Sequence, residues 1–133
     1  LSLILAETYH REKVNTTLEQ NKHVTNVIRY MSKHLEDNLS LEDIVVEFDL
    51  SKSYLNAIFQ KYTQHAPMDF FINLKMKKAC RLLRVTDSYV YEVAQQLGYS
   101  DQYYFSRIFK KVVGMSPKEY KHNDSIHFRG VEV

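Results

Sequence analysis

Glycine, proline and cysteine are scarce in this sequence, and tryptophan is absent. The 133 residues include only three glycines, two prolines and one cysteine. A sandwich or barrel needs turn residues about every 8–12 positions, so this scarcity argues against an all-β fold. The single cysteine, Cys80, excludes an internal disulfide, and no cysteine–histidine cluster has the spacing of a zinc site. We therefore expect an all-α fold that holds no metal and no cofactor.

Long apolar runs are also absent. No stretch approaches the roughly 18 residues that a membrane span requires. Residues 1–6 are apolar, but they are too few for a signal peptide and have no basic flank. These features favour a cytoplasmic protein without a membrane contact. The missing initiating methionine predicts a chain that begins inside a longer protein.

Charge is unevenly distributed along the chain, although the net charge is only +2. Residues 1–72 carry a net charge of −3, residues 73–122 carry +6, and the last 11 residues carry −1. A basic region beside an acidic one is typical of a surface that binds a polyanion. A solvated lysine face on a helix would give the same balance, so charge alone leaves both interpretations open.

Helical periodicity accounts for most of the chain. A first helix is predicted over about residues 21–37, followed by a short helix capped by Ser40 and a third capped by Ser51. Pro67 suits the first turn of a long helix over about residues 67–85. Basic residues are expected to fill much of the face that the apolar positions of this helix leave: Lys75, Lys77, Lys78, Arg81 and Arg84.

The second half of the chain repeats the first. Residues 44–51 align with residues 93–100 at an offset of 49, and residues 54–59 align with residues 104–109 at an offset of 50. Gly98 stands where a helix needs a left-handed residue at its end, and Ser116 and Pro117 begin a short last helix. A helix-turn-helix pattern therefore occurs twice, which predicts two helix-turn-helix subdomains joined by a long linker helix, about seven helices in all.

This repeat divides the chain into five predicted parts. They are the end of an upstream linker or truncated preceding domain (1–20), a first helix-turn-helix unit (21–66), a linker helix (67–86), a second unit (87–122) and a C-terminal tail (123–133). Two alternatives stay open for the apolar start: it belongs to a preceding domain, or it pairs between chains. The tail is either an ordered extension or loose.

A helix-turn-helix places its second helix in the major groove of DNA, where polar side chains reach base edges. On the two predicted recognition helices, the candidate base-reading residues are Gln102, Tyr103, Ser106 and Arg107 in the second unit, and Ser53, Asn56 and Ala57 in the first. The candidate phosphate contacts are Lys110 and Lys111 in the second unit, and Lys52, Gln60 and Lys61 in the first. Arginine can grip guanine and asparagine or glutamine can grip adenine, each through two hydrogen bonds.

The two predicted reading faces differ in quality. Ala57 stands where the second unit has Arg107, and alanine can at most touch a thymine methyl group. The linker helix spans about 27 Å at roughly 1.5 Å per residue. With the width of the units added, one chain would place its two reading helices about one DNA turn apart, roughly 34 Å. Because the first unit has Ala57 in the place of Arg107, we expect the second unit to carry more of the guanine-reading specificity.

The second unit carries a motif of known type. Residues 90–111, VYEVAQQLGYSDQYYFSRIFKK, followed by Gly114, Ser116-Pro117 and Tyr120-Lys121, resemble the signature of the AraC/XylS family of bacterial transcription regulators. The resemblance covers about residues 21–122. It implies a seven-helix domain that binds promoter DNA and often RNA polymerase, usually after an effector-binding or dimerising domain.

Departures from that family pattern lie mainly in the first unit. Val45 and Asp49 replace a small alanine and a turn glycine, and Lys121 stands where arginine is commoner. The weaker reading face of the first unit supports one alternative function, a helical protein-interaction domain that kept the fold and lost DNA binding. An enzyme is not expected, because there is no glycine-rich phosphate loop and no nucleophile on a strand-turn-helix elbow.

Overall fold

The structure, a computed structural model, describes residues 2–123. Within them seven α-helices follow one another and no strand occurs, which confirms the predicted all-α fold. The helices are α1 (Ser2–Lys33), α2 (Leu41–Phe48), α3 (Lys52–Thr63), α4 (Pro67–Val85), α5 (Val90–Gln96), α6 (Gln102–Val113) and α7 (Pro117–His122). The predicted tail lies outside the described residues except for Asn123.

Short polar side chains begin several of these helices, as predicted. Ser40 accepts a hydrogen bond from the backbone N–H of Asp43, whose carboxylate accepts one from the N–H of Ser40. Ser51 and Ser116 each accept a hydrogen bond at 3.1 Å from a backbone N–H three residues on. These bonds satisfy N–H groups that have no partner inside their own helix.

The first helix differs from its prediction at both ends. It begins at Ser2 and ends at Lys33, whereas the apolar pattern predicted residues 21–37. The apolar pattern did not predict the first half of this helix, because the apolar residues there do not continue the stripe of Val24, Val27 and Met31. That stripe is buried, whereas Leu3 and Leu18 of the first half are exposed. No glycine or proline interrupts residues 2–33, so nothing in the sequence breaks the helix.

Two hydrophobic cores share the linker helix α4. The first core joins α1, α2 and α3 to the first half of α4, which contributes Phe70, Phe71 and Leu74. The second core joins α5, α6 and α7 to the second half of α4, which contributes Met76, Ala79, Cys80 and Leu83. Cys80 is a buried core residue, and burial raises the pKa of its thiol to about 11. One helix therefore supports both units.

The turns of the two units each contain a residue with a positive φ, but the two residues differ. Gly98 adopts a φ of +85° after α5, and Asp49 adopts a φ of +52° at the matching place after α2. The left-handed region costs a residue with a Cβ roughly 1–2 kcal/mol. The first unit therefore keeps the turn despite lacking glycine, at a conformational cost.

Replacing Gly98 by alanine is expected to destabilise the fold more than replacing Gly114 does. Both have a positive φ, but a Cβ at Gly98 would lie 3.0 Å from the carbonyl oxygen of Glu36, whereas a Cβ at Gly114 would meet nothing within 4 Å. We expect a loss of about 3 kcal/mol for Gly98→Ala and about 1 kcal/mol for Gly114→Ala, measured by urea unfolding. Equal losses would show that crowding at Gly98 is unimportant.

Candidate nucleic-acid interface

The helix α6 has one buried face and one exposed face. Phe105 and Phe109 are fully buried in the second core and fix the rotation of the helix about its axis. Arg107 and Tyr103 are exposed on the other side, Tyr103 by 72%. Asp101 caps the helix by accepting hydrogen bonds from the backbone N–H groups of two residues in its first turn. The second core thereby presents a polar helix face to solvent.

The predicted contact residues of α6 differ in their exposure to solvent. Tyr103, Arg107, Lys110 and Lys111 are exposed, whereas Gln102 and Ser106 are half-buried. At about 100° per residue, Gln102 falls next to the buried Phe109, so it lies at the edge of the exposed face. The most accessible groups are therefore an arginine, a tyrosine and two lysines.

Tyr104 belongs to this surface, and the sequence analysis missed it. The repeat aligned Tyr104 with Tyr54, and neither was predicted to contact DNA, but Tyr104 is 50% exposed. Its ring centre lies 5.9 Å from the guanidinium carbon of Arg107. Tyr54, in contrast, is half-buried against α1, where its hydroxyl lies 2.9 Å from Nδ1 of His23. A tyrosine three residues before an arginine on one helix was the available signal.

Tyr99 supports α6 from the preceding turn. Its ring packs 5.4 Å from Phe105 and 6.2 Å from Tyr104, measured between ring centres. Burial raises the pKa of Tyr99 to about 12, so the phenol stays neutral near physiological pH. Tyr99 therefore links the turn to both the buried and the exposed faces of α6.

The helix α3 repeats this arrangement in the first unit. Leu55, Ile58 and Phe59 are buried in the first core. The opposite face exposes all the predicted residues of the first unit: Lys52, Ser53, Asn56, Ala57, Gln60 and Lys61. Both predicted reading faces are therefore accessible, one on each recognition helix.

The lysines of the two faces differ in their partners. Lys52 forms an ion pair with Glu42 of α2, and hydrogen bonding to Lys52 lowers the pKa of Glu42. Lys61 donates a hydrogen bond at 3.0 Å to Oε1 of Gln20 on α1. Among residues 2–123, neither Lys110 nor Lys111 has an ion-pair partner. The cationic groups of the second unit are therefore the more available ones.

The described part of the chain offers neither a metal site nor a membrane-spanning helix. No group of three or more histidine, cysteine, aspartate or glutamate side chains among residues 2–123 could hold a metal ion. None of the helices described is both long enough and apolar enough to cross a membrane.

Comparison with known proteins identifies the family. A family model described as a helix-turn-helix domain matches residues 44–123, which is more than half of the chain. The chain belongs to the AraC-type helix-turn-helix family. The family resemblance inferred from the motif of residues 90–111 is thus confirmed.

AraC-type relatives include named transcription regulators. The MmsAB operon regulatory protein of Pseudomonas aeruginosa is 41% identical over 92 residues, which are 69% of this chain and 30% of that protein. The regulatory protein SoxS of Escherichia coli is 26% identical over 105 residues, which are 79% of this chain and 98% of SoxS. The chain thus spans less than a third of the first relative and nearly all of the second.

Solved AraC-type domains share the fold. The C-terminal domain of AraT, a response regulator from Geobacillus stearothermophilus, matches with a TM-score of 0.71 at 29% identity, over 79% of this chain and 93% of that one. The DNA-binding domain of AdpA, a global transcriptional factor solved in complex with a target DNA, matches with a TM-score of 0.68 at 26% identity, over 73% and 87%. The two-unit architecture is therefore that of known AraC-type domains.

Removing the cap of α6 is expected to destabilise this AraC-type domain. Asp101→Ala leaves the backbone N–H groups of Tyr103 and Tyr104 without their acceptor. The free energy of unfolding should fall by about 1 kcal/mol, measured by urea unfolding followed by circular dichroism. Asp101→Asn is the control, because its amide oxygen still accepts; an equal loss in both variants would contradict the capping role.

Proposed function

We propose that this chain binds double-stranded DNA through both helix-turn-helix units, as the DNA-binding part of a transcription regulator. The helices α6 and α3 lie in successive major grooves on one side of the duplex. The exposed polar and basic face of α6, opposite its buried phenylalanines, carries this proposal. Family membership and the DNA complex of the AdpA domain support it.

In this proposal the second unit supplies most of the base recognition. The guanidinium of Arg107 donates two hydrogen bonds to guanine, and Gln102 recognises adenine from the edge of the face. Tyr103 and Ser106 contact neighbouring base edges. Lys110 and Lys111 neutralise phosphates, for which their lack of an ion-pair partner within residues 2–123 makes them available.

The first unit contributes less to this recognition. Asn56 reads adenine, Ala57 touches a thymine methyl group, and Ser53 contacts a base edge. The phosphate contacts proposed for this unit are Lys52, Gln60 and Lys61. Because Lys52 is paired with Glu42 and Lys61 with Gln20, each must exchange a partner before it contacts a phosphate.

The spacing of the two proposed groove contacts follows from α4. Its 19 residues span about 28 Å at roughly 1.5 Å per residue. The two recognition helices flank α4, so their own width extends this distance towards one DNA turn, about 34 Å. A single chain thereby reaches two sub-sites.

The remaining parts of the proposed function concern the whole protein. The protein acts in the cytoplasm as a regulator rather than an enzyme, with RNA polymerase as a second partner and an effector-binding or dimerising domain before this one. The alternative of a protein-interaction domain without DNA binding is not favoured, because the exposed face of α6 carries polar and basic side chains of the kinds that contact bases and phosphates.

Binding to selected DNA tests the proposal. Duplexes selected from a random library are titrated with the chain, and fluorescence anisotropy is recorded over a salt series. A steep log–log salt slope, with a motif of two sub-sites one turn apart, is the expected result. One enriched sub-site would mean that the first unit only contacts the backbone. No binding above background at low salt would overturn the proposal.

Two single substitutions should separate base reading from phosphate contact. Arg107→Ala should remove the preference at one guanine, at a cost of about 1–3 kcal/mol on the selected sequence and little on others. Lys111→Ala, the control, should weaken binding to all sequences alike and reduce the salt slope by about one. If Arg107→Ala behaved like Lys111→Ala, Arg107 would be a phosphate contact.

A further inference from the structure

Lys75 occupies an unusual position in the linker helix. It stands on α4 between Leu74, which packs in the first core, and Met76, which packs in the second. Its side chain is only 4% exposed, and Lys75 is the one charged residue buried in the described part of the chain. A buried ammonium group requires hydrogen-bond partners, because desolvation is costly without them.

The partners of Lys75 come from both units. Its Nζ donates a hydrogen bond at 2.7 Å to the carbonyl oxygen of Asp37, in the loop between α1 and α2. It donates another at 2.6 Å to the carbonyl oxygen of Leu97, which ends α5. The ammonium also lies 5.0 Å from the ring centre of Phe71 and 5.2 Å from that of Tyr99. One side chain thus joins the first unit to the second.

Neighbouring side chains join the same two segments. Oε1 of Glu36, in the same loop, accepts hydrogen bonds from Gln96 of α5 at 3.1 Å and from Lys78 of α4 at 3.2 Å. The loop also approaches Gly98 so closely that a Cβ there would lie 3.0 Å from Glu36 and Asn38 atoms. Residues 36–38 therefore rest directly on the turn of the second unit.

Next to the contact of residues 36–38 with the second unit, a gap lies between the two units. An open cleft runs between them, with Leu39 and Met68 on one side and Tyr104 and Ile108 on the other, and Lys75 lines it. Besides the shared helix α4, residues 36–38 connect the first unit to the second at the edge of that cleft. The central hydrogen bonds of this connection are those of Lys75.

We infer that Lys75 and residues 36–38 form a brace that fixes α3 relative to α6 and so sets the spacing of the two DNA sub-sites that the chain accepts. This inference rests on the proposed two-groove DNA binding. Lys75 acts as a positioning residue, since it is buried and acts on DNA only through the orientation of the recognition helices.

A spacing series tests the role of Lys75. Duplexes carry the two selected sub-sites at the selected separation or one base pair closer or further apart, a shift of about 34° around the axis and about 3.4 Å along it. The wild-type chain should lose roughly tenfold in affinity at a wrong spacing, comparable to one lost two-bond base contact. Lys75→Met should lose only about threefold, while its affinity for one isolated sub-site stays unchanged.

The control is Lys118→Met, which removes the same charge from an exposed position on α7. It should keep the wild-type spacing profile. Glu36→Gln provides a second test. Because Glu36 is exposed, this substitution should disturb folding less than Lys75→Met does. It weakens the bonds of Glu36 to Lys78 and Gln96, and it should flatten the profile in the same direction as Lys75→Met.

A distance measurement tests the brace without DNA. Spin labels are placed at cysteines introduced at Glu47 on α2 and Glu119 on α7, in a chain carrying Cys80→Ala. The wild-type background should give one narrow distance distribution, and adding Lys75→Met or Glu36→Gln should broaden it.

The outcomes separate the two ideas. A narrow distribution in both variants, or an unchanged spacing profile with normal DNA binding, would overturn the brace and leave the proposed function intact. A broadened distribution in a chain whose wild type binds no DNA would support the brace as a structural link and overturn its role in sub-site spacing together with the proposed function.

Discussion

The architecture depends on one helix shared between two cores, and on one buried charge at the point where the cores meet. Removing an ammonium group from water costs several kcal/mol unless hydrogen bonds replace its hydration. Lys75 replaces its hydration by donating hydrogen bonds to two backbone carbonyl groups, one at Asp37 and one at Leu97. Because these carbonyls lie in different units, the same bonds that satisfy the charge also hold the units together. Burial lowers the pKa of Lys75, and Asp37 partly offsets that effect.

Two units of similar sequence therefore meet at the shared helix α4 and the hydrogen bonds of Lys75, but they present unequal surfaces. In the first unit the hydroxyl of Tyr54 forms a hydrogen bond with His23 of α1. In the second unit Tyr104 is half exposed and lies beside Arg107. The long first helix explains part of the difference, because it also engages Lys61 through Gln20. In the first unit Lys52, Tyr54 and Lys61 thus have partners within the chain, whereas in the second unit Lys110 and Lys111 have no ion-pair partner among residues 2–123. This asymmetry favours the second unit as the main source of sequence recognition.

Most of the fold was predictable because it depends on local chemistry. Helix ends are marked by residues close to them in the sequence, such as the serine caps, the proline at the start of α4 and the left-handed Gly98. The repeat shows a similar pattern of helices in both units. The exposed faces of α3 and α6 were also predictable, since helical spacing determines which side chains oppose the buried ones. The first half of α1 was missed because its apolar residues do not continue the stripe that faces the core. The DNA contacts assigned to these faces stay predictions.

The sequence by itself thus determined most of the helices, the repeat and the two polar faces, which follow from spacing along the chain. It also indicated the family, through the resemblance of residues 90–111 to a known motif. Only the tertiary structure decided the environment of individual side chains. Lys75 looked like one more basic residue on the outer face of a linker helix, yet it is buried. The two residues whose carbonyl groups accept its hydrogen bonds lie 38 and 22 residues away along the sequence. The spacing of residues within α4 therefore could not predict these bonds. Burial of a polar group depends on which distant backbone atoms the fold brings to it, because only they can replace the water it loses.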